Sequence, residues 1–124
     1  MFGVCLSCGK QVAPLPSRFT AVLAFDCDGT LDVGGGPVPL SLVKSLSSMG
    51  LAVYIVSSSR ACANCGLPVY APYDRVSTLM DLKRVVEADR YIYVGDLPGD
   101  AEAARQAGWE FIYAKDFTRW VSTF

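Results

Sequence analysis

A short apolar run followed at once by two carboxylates constrains this chain more than any other feature. Residues 21–25 read Ala-Val-Leu-Ala-Phe, and Asp26 and Asp28 follow with one residue between them. Continuous hydrophobicity over so short a stretch is typical of a strand buried on both faces, as in a parallel sheet covered by helices. The two carboxylates point the same way in an extended chain, and they repel each other unless a cation or a shared proton intervenes. The pattern therefore predicts a divalent metal at the carboxyl end of a buried strand.

Further apolar segments of strand length alternate with stretches of helical periodicity. Strands are expected at residues 20–26, 51–56, 67–71, 90–94 and 110–114, of which 67–71 is a short edge strand. Helices are expected at residues 39–49, 74–87 and 98–107, with a final helical turn or tail at 116–121. The glycine-rich stretch 33–37 is expected to be a mobile loop or a tight hairpin. This alternation predicts an α/β fold with a doubly wound parallel sheet.

Length and composition limit the chain to one folded domain. Its 124 residues, 52% hydrophobic and 19% charged, are enough to bury a single core. Pro14 and Pro16 favour extended or turn structure over helix near the N-terminus. We therefore expect residues 1–18 to form an extension and residues 19–124 to form the domain.

Charge and hydropathy argue against two classes of partner. The formal net charge is −1, from 11 basic and 12 acidic side chains, and gives no general attraction to nucleic acids or membranes. No apolar run approaches the roughly 20 residues of a membrane span, and the first residues do not resemble a secretion signal. We expect a cytoplasmic protein. Because the sequence has no histidine, acid–base chemistry falls first to carboxylates.

Polar residues also follow two other predicted strands. Ser57 and Ser58 come after residues 51–56, and Asp96 and Asp100 come after residues 90–94. Because the carboxyl ends of parallel strands share one edge of a sheet, these side chains are expected beside Asp26.

Magnesium is the metal that this set of oxygens favours, because Mg²⁺ binds through a few carboxylates and substrate phosphate. The predicted ligands are Asp26, Asp96 and Asp100, with Asp28 contributing through its backbone carbonyl. With Mg²⁺ bound, an Asp26 oxygen could attack phosphorus to form an aspartyl-phosphate, while Asp28 serves as general acid and then general base. The predicted phosphate-binding groups are the backbone N–H groups near Gly29 and Thr30 and the hydroxyl groups of Ser57 and Ser58.

These motifs resemble those of the haloacid dehalogenase superfamily of phosphohydrolases. The stretch Asp-Cys-Asp-Gly-Thr-Leu at 26–31 is similar to its first motif, Ser57 to its second, and Gly-Asp-Leu-Pro-Gly-Asp at 95–100 to its fourth. The resemblance covers about residues 20–114. It implies a Rossmann-like fold, bound Mg²⁺, Asp26 as nucleophile and Asp28 as acid and base. An aspartate at position 28 resembles the phosphatase branches rather than the dehalogenases.

The third motif of that superfamily, a lysine at the start of the helix before the Gly-Asp strand, has no direct counterpart here. Lys83 lies about eight residues into the predicted helix, roughly 12 Å from its start at 1.5 Å per residue. Arg75 lies at the correct end and is the preferred phosphate-neutralising cation, and Arg60 beside Ser57 is the other candidate.

Members of the superfamily usually cover the site with a cap inserted after the first or the second motif. The residues between Thr30 and Ser57 are too few for such a domain, so we expect a capless protein. Capless relatives act on large substrates or borrow a lid from a neighbouring subunit, which leaves substrate size and a homo-oligomer open.

Four of the five cysteines stand in two repeats of Cys-x-x-Cys-Gly, at Cys5 and Cys8 and at Cys62 and Cys65. In a reducing cytosol this pattern favours metal over disulfides, and four thiolates predict a structural, tetrahedral Zn²⁺ site. Disulfides and free thiols are the alternatives. Cys27, between the two aspartates, is expected to point into the core.

The sequence thus predicts a Mg²⁺-dependent phosphatase that acts on a phosphomonoester and carries structural zinc. The competing hypothesis is a zinc-stabilised module that binds protein or nucleic acid on a catalytically vestigial fold of the same kind. Sugar phosphates, nucleotides, nucleic-acid ends and phosphoproteins all remain open as substrates.

Overall fold

The computed structural model describes residues 3–4, 11–12 and 19–123. Two short strands, β1 (Gly3–Val4) and β2 (Gln11–Val12), pair in antiparallel fashion near the N-terminus. The predicted zinc ligands Cys5 and Cys8 lie outside the described residues. In the part that the structure describes, no helix is both long and apolar enough to cross a membrane.

The main sheet has four parallel strands, and four helices accompany it. The strands are β3 (Phe19–Phe25), β4 (Ala52–Ile55), β5 (Ala88–Gly95) and β6 (Glu110–Tyr113). The helices are α1 (Leu40–Ser47), α2 (Arg75–Val85), α3 (Pro98–Ala107) and α4 (Ala114–Val121). The prediction of one α/β domain with a parallel sheet is therefore confirmed. Between β3 and β4 the chain forms one loop and α1, with no inserted domain among these described residues.

Strand β3 is buried on both faces because helices cover both sides of the sheet. Leu23 and Phe25 pack in one core with residues of α1 and with Phe117 of α4. Val22 and Ala24, which alternate with them, pack in a second core with residues of α2 and α3. Full burial of each large apolar side chain contributes about 1.5–3 kcal/mol, so both faces of β3 stabilise the domain. The continuous apolar run at 21–25 reflects these two cores.

The strand order β4-β3-β5-β6 makes the carboxyl end of β3 a place where chain connections diverge. From β3 the chain passes through α1 to β4 on one side, and then through α2 to β5 on the other side. In open α/β sheets, ligands bind in the crevice that forms at such a reversal. The crevice lies between the ends of β3 and β5.

Some elements differ from their predicted extent. The edge strand expected at 67–71 is a single parallel bridge between Ile55 and Val69, because Pro68 has no N–H with which to extend the pairing. The glycine-rich loop is tight, which is one of its two expected forms, and contains a 3-10 turn at Asp32–Gly34 closed by backbone hydrogen bonds. The final turn expected at 116–121 is the two-turn helix α4, which buries Phe117.

Candidate functional site

Three aspartates from three elements meet at the carboxyl edge of the sheet. Asp26 follows β3, Asp96 follows β5, and Asp100 lies in the first turn of α3. One oxygen from each carboxylate lies within 4.8 Å of the other two. Asp26 and Asp100 are buried and Asp96 is partly exposed, so the cluster can be reached from solvent on the Asp96 side.

Asp100 holds the loop after β5 in place. Its Oδ2 accepts hydrogen bonds from the backbone N–H groups of Asp96 and Leu97, both at 3.2 Å. Its Oδ1 accepts from the Tyr93 hydroxyl at 3.1 Å and from Arg75 Nη1 at 3.0 Å. A Cβ on Gly95 would lie 2.6 Å from the Asp100 Cβ, so glycine is needed for this close packing. Both Asp100 oxygens are engaged, and the residue is therefore mainly a positioning group.

Arg75 is the cation of the cluster. It begins α2, whose N-cap Asp74 accepts a hydrogen bond from Ser77 N at 2.9 Å. Besides Asp100, its guanidinium contacts the Tyr93 hydroxyl and lies 3.4 Å from Asp26 Oδ1. The structure thus places the preferred candidate for the third motif within the cluster.

Among the described residues, neither of the other two predicted cations forms an ion pair with the cluster. Lys83 Nζ donates a hydrogen bond to the carbonyl of Gly108 at 2.8 Å. Because Gly108 comes just before β6 begins, this contact lies toward the opposite edge of the sheet from the aspartates. Arg60 is exposed in the turn that follows the serine loop.

Electrostatics at the cluster favour a cation. Burial is the largest effect on Asp26 and raises the pKa of its carboxyl, while Arg75 lowers that pKa and the carboxylates of Asp100 and Asp96 raise it. Three carboxylates face one guanidinium, so negative charge is in excess when all are ionised. Oxygen donors in this arrangement fit Mg²⁺, which prefers hard oxygen ligands. Asp28 is exposed and is not a member of the cluster.

The turn at Gly29 and Thr30 is closed by backbone hydrogen bonds of its own. The N–H of Gly29 donates to the carbonyl of Gly34 at 3.0 Å, and the N–H of Thr30 donates to the carbonyl of Cys27 at 3.1 Å. The N–H groups of these two residues are therefore engaged within the loop, and phosphate binding by other backbone N–H groups near them stays a prediction. Gly29 has φ +73°, and a Cβ there would collide with the Asp96 carboxylate, so glycine lets Asp96 lie against this turn. Thr30 is buried, with its hydroxyl 3.5 Å from Asp96 Oδ1.

The serine loop after β4 contacts Asp28 through a residue that the prediction missed. Ser57 is buried, and its hydroxyl oxygen accepts a hydrogen bond from the N–H of Ser59 at 3.1 Å. The Ser59 hydroxyl in turn donates to Asp28 Oδ1 at 2.9 Å. Ser58 is exposed. The run of three serines was the available signal, although it could not show which hydroxyl reaches the aspartate loop.

Two cysteines pair differently from the prediction. Cys27 and Cys62 form a disulfide, with their Cα atoms 6.2 Å apart, and Cys65 is a buried free thiol. The sulfur of Cys62 is therefore not available as a zinc thiolate in this structure, and Cys27 does more than pack in the core. Cys62 meets Cys27 because the turn Arg60–Cys62 packs against the turn Asp32–Gly34, which follows the two aspartates. Cysteine spacing alone does not reveal such a pairing.

Comparison with protein-family models, with curated proteins and with solved structures gives no match. The resemblance to the haloacid dehalogenase superfamily therefore depends on the motifs at 26–31, 57 and 95–100 alone.

Proposed function

We propose that this chain is a Mg²⁺-dependent phosphatase that hydrolyses a phosphomonoester through an aspartyl-phosphate. The observation that carries the proposal is the meeting of Asp26, Asp96 and Asp100 within 4.8 Å at the reversal point of a parallel sheet. The order of the motifs along the chain and their resemblance to those of a phosphohydrolase superfamily support it.

Asp26 and Asp96 are the residues that would hold Mg²⁺, since the oxygens of Asp100 already accept four hydrogen bonds. When bound, the ion supplies positive charge that neutralises phosphoryl oxygens. Arg75 supplies further positive charge, and its contacts keep Asp26 and Asp100 in a fixed relation.

In the first step, an Asp26 oxygen attacks phosphorus while the bond from phosphorus to the ester oxygen breaks. Asp28 donates a proton to that departing oxygen, and its exposure gives it access to both leaving group and water. In the second step, Asp28 takes a proton from water, the water oxygen attacks phosphorus, and the bond from phosphorus to Asp26 breaks. The products are an alcohol and inorganic phosphate. Ser59 orients Asp28 throughout.

The competing hypothesis of a zinc-stabilised interaction module gains no support. It needs Cys62 as a thiolate, and the disulfide with Cys27 occupies that sulfur.

The test is hydrolysis of phenyl phosphate with Mg²⁺ and with excess EDTA. We expect turnover that requires Mg²⁺, and an Asp26→Asn variant at least about 1000-fold slower because the nucleophile is lost. Glu102→Gln makes the same change of charge on the exposed side of α3 and should retain the activity. Equal rates for the wild type and Asp26→Asn, across a panel of phosphomonoesters, would contradict the proposal.

A further inference from the structure

A groove of about 240 Å³ opens beside the aspartate cluster. Two residues of its lining, Gly29 and Asp96, belong to the candidate site. The remaining lining comes from the glycine-rich loop and from the junction of β6 and α4: Pro37, Tyr113, Ala114 and Lys115. The groove therefore adjoins the candidate site through Asp96.

The lining offers one flat apolar surface and one cation. Tyr113 is half-buried, and its ring stands edge-on to Phe111 with centroids 4.8 Å apart, which fixes its orientation. Lys115 is exposed, and its Nζ lies 5.7 Å from the centre of the Tyr113 ring. Within residues 19–123, no carboxylate forms an ion pair with Lys115. Its charge is available to a ligand.

We propose that this groove holds the leaving group of the substrate, and that Lys115 selects a leaving group bearing a second anionic group. The inference rests on the proposed phosphatase function. The groove, at about 240 Å³, has room for a small ring or a short chain.

Charge explains why Lys115 would decide the preference. Asp96 lines the groove, and under the proposed function the phosphate of the substrate lies beside it. A second anion in the groove therefore meets repulsion even when Mg²⁺ and Arg75 offset the three carboxylates. An ammonium group on the groove wall offsets that repulsion and draws the anion to one position. Without Lys115 the same anionic leaving group becomes unfavourable, so the substitution should abolish or invert the preference.

The experiment compares phenyl phosphate with 4-carboxyphenyl phosphate, which differ by one carboxylate. In the wild type, kcat/KM should favour the carboxylated substrate about 5-fold, the upper range for an exposed ion pair, and mainly through KM. Lys115→Met should remove this gain, Lys115→Glu should reverse it, and added salt should reduce it in the wild type. Lys83→Met makes the same change of charge on a lysine that faces Gly108, and it should retain the preference. Comparing variants cancels the intrinsic difference between the two phenols.

The outcomes separate this inference from the phosphatase proposal. If both substrates are hydrolysed and Lys115→Met keeps the wild-type ratio, the groove assignment is overturned while the phosphatase stands. If neither is hydrolysed, calorimetric titration of both compounds in Mg²⁺ replaces the kinetics. Tighter binding of the carboxylated compound that depends on Lys115 supports the groove even then. Equal affinities, or no binding of either compound, overturn it.

Discussion

At the scale of single residues, Arg75 offsets part of the negative charge of the three clustered aspartates. Its guanidinium contacts Asp26, Asp100 and the Tyr93 hydroxyl, so one side chain connects the ends of β3 and β5 with the first turn of α3. A buried carboxylate without a partner is costly, and here three carboxylates share one cation. The same contacts keep Asp26 oriented toward the crevice.

Arg75→Met should therefore harm both stability and turnover. Removing one partner of a buried ion pair costs about 3–5 kcal/mol, and since the Arg75 side chain is 29% exposed we expect about 2 kcal/mol. Urea unfolding measures this loss, and phenyl phosphate hydrolysis should fall by at least about 10-fold. Lys83→Met is the matched control. Unimpaired turnover in Arg75→Met, together with impaired turnover in Lys83→Met, would assign the third-motif role to Lys83 instead.

The sequence predicts the position of Arg75 at the sheet edge but not the hydrogen-bond partners of the groups around it. Helix geometry alone put Arg75 near the sheet edge and Lys83 far from it. The N–H groups of Gly29 and Thr30 could not be judged in this way, because their acceptors depend on how the following loop closes. Ser59 was hidden among three adjacent serines. Each of these outcomes depends on tertiary contacts that a local pattern does not contain.

At the scale of elements, the glycine-rich loop packs against the turn at residues 27–30, which follows Asp26 and contains Asp28. The carbonyl of Gly34 accepts a hydrogen bond from the N–H of Gly29. Gly34 also packs against the backbone of Cys27 and Asp28. Added side-chain volume at Gly34 would push directly on the turn that carries both predicted catalytic aspartates.

Gly34→Ala should reduce turnover and lower Tm, because its Cβ would lie 2.5 Å from the Cys27 carbonyl oxygen and 3.1 Å from the Asp28 Cα. Gly99→Ala provides the control, since a Cβ at Gly99 meets nothing within 4 Å. That substitution should leave Tm unchanged or raise it, as replacing a helical glycine restricts the unfolded chain. Thermal unfolding and hydrolysis rates of the two variants decide the matter; equal behaviour would show that the loop does not support the turn.

The elements themselves were predictable where burial dictates a pattern. Strands β3, β4, β5 and β6 appear at their expected places because each is apolar over several residues. The stretch 67–71 is also largely apolar, but it lies beyond the sheet's last full strand, where Pro68 limits pairing. The sequence predicts either a mobile or a tight loop at 33–37, because glycines permit both, and the hydrogen bonds of the loop decide between them.

At the scale of the whole molecule, the disulfide joins the loop after β3, which carries Asp26 and Asp28, to the loop after β4. Cys27 and Cys62 are 35 residues apart in sequence, and both side chains are fully buried. The hydrogen bond from Ser59 to Asp28 connects the same two loops. Covalent and polar contacts therefore act together on one side of the candidate site.

Reduction of this disulfide should lower the stability of the domain markedly. Closing a loop of this length restricts the unfolded chain by an amount equivalent to about 4 kcal/mol, which is an upper bound for the loss. The Tm of the wild type should fall on addition of dithiothreitol. A Cys27→Ser, Cys62→Ser double variant should already have the lower Tm and should not respond to the reagent. A wild-type Tm that is insensitive to dithiothreitol would mean that the two thiols are not paired in solution.

The strand order also determines how strongly hydrolysis and substrate selectivity each depend on the stability of the edge strands. The proposed chemistry depends on β3 and β5, the two inner strands, each paired on both sides. The groove and the serine loop extend from β6 and β4, the outer strands. Among the described residues, β6 pairs with a strand on one side only, and β4 has no more than the single Ile55–Val69 bridge on its outer side. Edge strands open more readily than central ones during local fluctuations. Natural variation or heating that destabilises the edge strands would therefore reduce substrate selectivity before it slowed hydrolysis. New specificities could arise in this way on an unchanged catalytic centre.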